Sequence, residues 1–156
     1  MNRSFILGFM ILVASTISLS QGSLSTKCDP TSIYRINYPL LVEKGYADVP
    51  LVENAPIFSS GSDSLQLYFD KNAMLGEDAI NHFARVIIKF KVDCNGNVGE
   101  FESLGTVVPE IAELLMKAAK DMPRWIPGTI SGKPVNTISV ITFTISQGKA
   151  RLSIKK

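Results

Sequence analysis

Asp93, Asn95 and Asn97 fall at the alternating positions that open a calcium-binding loop. The position that would close such a loop with a bidentate glutamate is Leu104, so Asn95-Gly96 is read as a hairpin turn and no metal is expected. His82 is the sole histidine and has no cysteine at ligand spacing, which suits a surface residue ahead of a strand. Glu77 with Asp78, and Glu100 with Glu102, are paired carboxylates, but no sequence neighbour would raise a pKa for acid–base work. The chain contains neither a phosphate-cradling glycine loop nor a serine in a nucleophile elbow. These residues point to a protein that is not an enzyme and uses no cofactor.

The remaining reactive side chains are Cys28 and Cys94. Outside the cytoplasm they could pair, and a bridge closing so long a loop would stabilise by roughly 4 kcal/mol in the chain-entropy model. Two free thiols are the open alternative. Lys27 stands where a lipid-attachment signal has a small residue, so lipidation of Cys28 is not expected. Ahead of it, Met1-Asn-Arg3 is a short basic start, followed by an apolar run from Phe5 to Leu19 and small residues suited to cleavage after Ser20 or Gly22. Residues 1–21 therefore read as a secretory signal peptide, with an uncleaved anchor as the alternative. All 14 acidic residues lie between Asp29 and Asp121, whereas Arg124, Lys133, Lys149, Arg151, Lys155 and Lys156 follow without any. Those cations are spread through turns and a tail without interleaved aromatics, so nucleic acid is not an expected partner.

The elements that position these residues follow from periodicity. Residues 22–54 hold recurrent prolines and a set of apolar residues (Ile33, Ile36, Tyr38, Leu41), an extended lead-in lying on the domain or on a partner. A folded domain spans residues 55–156. Ser62 is the expected N-cap of a helix to Lys71 with Leu65, Tyr68 and Phe69 on its buried face, and a short helical piece follows over 75–81. Val86, Ile88, Phe90 and Val92 alternate with more polar residues as a half-buried strand does. After the Asn-Gly turn, a phase slip near Gly99 in the return strand predicts a bulge. Pro109 to Met122 forms an amphipathic helix with Ile111, Leu114, Leu115, Ala118 and Ala119 on one face. Pro123 stops it, and Trp125 is placed to pack where helix and strand meet. Pro127-Gly128 and Gly132-Lys133-Pro134 then turn the chain into an uncharged run, Val135 to Ser146, whose apolar phase slips after Val140. At a sheet edge that run could template an extended partner, and paired internally it is core; the residues leave both open. A short, charged strand near Arg151 closes the chain.

In their order these motifs resemble the C-terminal domain of TonB, the periplasmic energy transducer of Gram-negative bacteria. The matching pieces are Ala55-Pro-Ile-Phe58, the Gly61 turn and its helix, Phe90-Lys-Val-Asp93, Gly96-Asn-Val98 and the long helix. They continue with Met122-Pro-Arg-Trp-Ile-Pro-Gly128, Gly132-Lys-Pro-Val135 and Ile141-Thr-Phe143. The resemblance implies an α+β fold, a three-stranded antiparallel sheet packed on one long and one or two short helices. It further implies that Thr137, Ser139, Ile141 and Phe143 lie on a strand that pairs with an extended segment of an outer-membrane receptor, and that Pro123, Trp125, Pro127, Gly128, Gly132, Lys133 and Pro134 are structural. The expected function is a periplasmic protein-binding module linked to outer-membrane transport, its partner a receptor segment or another envelope protein. The alternatives are an inner-membrane-anchored transducer, touching the membrane only through its N-terminus, and an envelope protein that self-associates as a homodimer. The lead-in favours the first, because even fully extended it reaches only roughly 110–120 Å.

Overall fold

The structure, a computed structural model, describes residues 28–105 and 108–153, apart from the side chain of Asp78. The signal-peptide expectation for residues 1–21 lies outside the described residues. Among these, no helix is long and apolar enough to cross a membrane.

The fold is α+β and is built around one strand. In chain order the strands are β1 (Ile33–Arg35), β2 (Ile57–Phe58), β3 (Ala84–Val92), β4 (Val98–Ser103), β5 (Trp125–Ile126), β6 (Gly128–Ile130), β7 (Lys133–Ser146) and β8 (Lys149–Leu152). The helices are α1 (Pro39–Leu41), α2 (Ser62–Asn72) and α3 (Pro109–Lys120), with a π turn over Val42–Tyr46 and a 3-10 turn over Glu77–Asn81. Instead of three strands, the main sheet has six among the described residues: β1-β7-β3-β4 in order, with β6 and β8 also paired to β7. The reason is the length of β7. Its 14 residues outrun every neighbour, so several short segments share it. β3 runs antiparallel along Thr137–Ile145, β1 lies parallel along Asn136–Ile138, β6 pairs with Lys133–Val135 and β8 with Phe143–Ser146.

The sheet is covered on both faces. On one, Val86, Ile88, Phe90, Ile141, Phe143 and Ile145 pack with Leu65 and Phe69 of α2 and with Ile111, Leu115 and Ala119 of α3. On the other, Ile87, Ile138 and Val140 meet Leu41 and Leu104, with Ile33, Ile36 and Tyr38 packed against them. The lead-in thus lies on the domain as one layer of the fold, and its β1 is a strand of the sheet. The apparent phase slip in β7 is no slip: the two apolar phases face two different cores, as in any strand buried on both sides. The β4 bulge does occur, two residues facing one where the register passes from Lys89↔Glu102 to Lys91↔Gly99, with Glu100 at φ 53°. Leu114, expected inside, is exposed; Ala112 takes the buried place, so the inner stripe of α3 is turned slightly from the one predicted. The cap of α2 is Gly61 at φ 85°, not Ser62.

Trp125 closes the lower core. It is buried, with its ring 5.6 Å from Phe58 and 5.1 Å from Phe90, both edge-on. Its backbone N–H donates to the Gly96 carbonyl at 2.8 Å, tying β5 to the Asn-Gly turn. A Cβ on Gly96, at φ +82°, would stand 2.0 Å from the Trp125 carbonyl oxygen, so this turn admits only glycine. Gly128 is small for the same kind of reason: a Cβ there would meet the Thr137 hydroxyl at 2.5 Å. Pro123 follows the last turn of α3, Pro127 separates β5 from β6, and Ser131-Gly132 is the tight turn into Lys133 and Pro134 at the start of β7. Removing the Trp125 ring leaves a void bounded by Phe58 and Phe90. Trp125→Ala is therefore expected to cost about 3–5 kcal/mol in urea unfolding, and an unchanged midpoint would contradict this packing.

Candidate functional site

The residues that could do covalent or metal chemistry are dispersed. No group of three possible metal ligands forms among the described residues. Asp93 works as a turn carboxylate. It accepts from the Asn95 and Asn97 amides at 2.8 Å and from the Asn97 side chain. Partial burial pushes its pKa up, but these hydrogen bonds prevail and hold it below the ordinary value. Lys89 likewise remains charged: burial pulls it down, and contacts with Glu102 and the Tyr46 hydroxyl more than restore it.

Cys28 and Cys94 are joined in a disulfide. Next to it the buried Asn136 gathers the start of the chain. Its amide nitrogen lies 3.1–3.3 Å from the carbonyls of Asp29, Pro30 and Ser32, and its oxygen accepts from the Cys94 N–H. Asp29 braces this corner, accepting from the Ser32 hydroxyl and from the hydroxyl and amide of Thr31. The beginning of the lead-in is therefore bound to the β3–β4 turn and to β7 at once.

β7 is the strand expected to engage a partner, and its position differs from an outer edge. It has β3 on one side for most of its length. Thr137, Ser139, Ile141 and Phe143 are all buried, Thr137 and Phe143 completely, and they share a register with β3. Their side chains are core. What remains open is backbone on the opposite side. There β1 leaves after the Ile36 N–H donates to the Ile138 carbonyl at 3.1 Å, and β8 arrives with the Ser153 N–H on the Thr142 carbonyl at 2.8 Å. By the two-residue alternation of an antiparallel ladder, Val140 turns its N–H and C=O to this same side. It falls outside both registers, and no hydrogen bond fills either group among the described residues.

This one-residue gap opens into a groove of about 390 Å³. One wall is polar, formed by Asn37, Tyr38, Thr142 and Ser153, where the Tyr38 and Thr142 hydroxyls are 3.0 Å apart. The other is apolar, formed by Pro56, Ile57, Phe58, Leu65 and Trp125. The Trp125 Nε1 is buried without a hydrogen-bond partner. Exposed Ile57 and Ile126, paired across β2 and β5, extend the apolar surface beyond the rim. The free edge of β4, by contrast, carries Glu100 and Glu102 and a bulge, features that discourage strand addition.

Sequence reasoning missed Ile36, Asn37 and Tyr38 as groove residues because it assigned them to the lead-in. The β-branched and aromatic residues Ile33, Tyr34 and Ile36 were the available signal for a strand. Comparison of the chain with family models, with curated proteins and with solved structures finds no match.

Two outcomes follow from the disulfide corner. Replacing both cysteines by serine is expected to lower stability by about 4 kcal/mol, the entropy of the loop released, as measured by urea unfolding under oxidising conditions. Asp29, lowered from 3.8 to about 2 first by Ser32 and then by Thr31, is expected to titrate near that value in a carboxyl NMR titration. Its contribution is then complete above 3.8 and is lost as the pH falls through about 2.

Proposed function

We propose that this chain is a non-enzymatic protein-binding module of the bacterial periplasm, similar in kind to the TonB C-terminal domain. It captures an extended segment of an outer-membrane receptor or another envelope protein by backbone pairing at β7. The observation that carries this reading is the Val140 peptide edge, unpaired among the described residues and set beside an apolar groove. An extended segment laid there satisfies a donor and an acceptor together and buries an apolar side chain, the two terms on which strand addition depends.

The Cys28–Cys94 bridge supports an oxidising setting such as the periplasm. Of these four strand residues Ser139 and Ile141 line the groove, and because Thr137, Ser139, Ile141 and Phe143 are all buried, specificity comes from the groove walls and not from their side chains. Because the opening is short, the partner contributes two or three residues at most, and affinity relies on the apolar side chain it inserts.

The test is an NMR titration of the isotope-labelled protein with synthetic extended peptides drawn from the periplasm-facing segments of outer-membrane receptors. The expected result is that the Val140 amide shows the largest shift, with Ile36, Ser153 and the Trp125 indole moving alongside. Peptides that bind while leaving Val140 unmoved would reject this site.

A further inference from the structure

We propose that the gap on β7 takes the free carboxyl end of a polypeptide whose last residue is apolar. The proposal rests on the peptide-capture reading and narrows it. Its first ground is the shape of the opening. Between the Ile138 and Thr142 carbonyls the strand advances roughly 13 Å, and that stretch is bounded by Ile36 at one end and Ser153 at the other. A segment from the middle of a chain must run both in and out along the edge, and β1 and β8 stand in both paths. A chain end needs only one way in.

The second ground is charge. Among the described residues no aspartate or glutamate lines the groove, which leaves a terminal ammonium without a counter-ion. A carboxylate finds donors on the polar wall. Among the described residues the Val140 N–H is free, and the Tyr38 hydroxyl receives the Arg85 guanidinium at 3.3 Å. Arg85 is exposed and has no carboxylate partner among the described residues, so its charge is available to an anion beside Tyr38. Across the groove, Leu65 and Trp125 suit the apolar side chain of the last residue.

The test uses the full-length, oxidised protein and fluorescein-labelled decapeptides ending in Phe, Leu or Ile, each as the free acid and as the C-terminal amide, followed by fluorescence anisotropy. The free acids are expected to bind about tenfold or more tightly than the amides, as the loss of a charge-assisted hydrogen bond predicts. Arg85→Gln is expected to weaken the acids several-fold and leave the amides unchanged, a split that a structural effect of the exposed residue would not produce. Equal binding of acid and amide overturns the carboxyl-end proposal while peptide capture stands. If neither form binds, both fail. Binding that appears only after deletion of residues 154–156 assigns the gap to the chain's own tail and overturns the proposal.

Discussion

A strand buried on both faces can reach hydrogen-bond partners only along its two edges, and β7 is such a strand. Each of its residues presents a peptide N–H and C=O to one side or the other, except that Pro134 lacks the donor. Leaving such a group dry costs about 1–3 kcal/mol, so the chain must supply edge partners for the whole 14-residue length. It does so piecemeal, with β3 along one edge and β1 and β8 sharing the other. The architecture is the solution to that demand. The place where the supply is interrupted, at Val140, is also where the surface becomes concave and apolar.

The same demand explains the lead-in. Covering the second face of β7 takes apolar residues that neither α2 nor α3 can provide, because both pack on the first. Ile33, Ile36, Tyr38 and Leu41 fill that role, with Leu104 from the end of β4. A three-residue parallel strand is a weak attachment by itself. It is reinforced on both sides: the disulfide and the Asn136 amide hold residues just before it, and the π turn behind it places Tyr46 against Lys89 with the ring 5.0 Å from the ammonium. The walls of the groove are therefore anchored from both sides of the sheet.

How much of this was legible depended on the range of the interaction. β3, α3 and the Asn-Gly turn are written in local spacing, two residues for the strand and about three and a half for the helix, and they appear where the spacing puts them. The bulge in β4 was visible as a broken alternation, displaced by one residue from Gly99 to Glu100. β7 misled because alternation is informative only when one face is wet; with both faces dry, Ile138 and Val140 belong to one core and Ile141 and Phe143 to the other. The partners of β7 were illegible for a different reason. A short strand such as Ile33–Arg35 carries too few side chains to specify its neighbour, and its register is set by contacts remote in sequence. The cysteine pair was undecidable in the same way. Of the candidate site, the strand was found from sequence and the groove was not.

The parallel pairing of β1 with β7 also imposes an order in time. Ile33 meets Asn136, so β1, the first strand among the described residues, has its partner far along the sequence. Closing so long a loop before other contacts exist is entropically unfavourable, and the β3–β4 hairpin and α3 can form well ahead of it. The Cys28 thiol has its mate at Cys94, which emerges earlier than β7. Oxidation can therefore shorten the search that β1 must make, fastening one end of the lead-in before its place in the sheet has been built. Until the lead-in docks, the second face of β7 is an uncovered apolar surface.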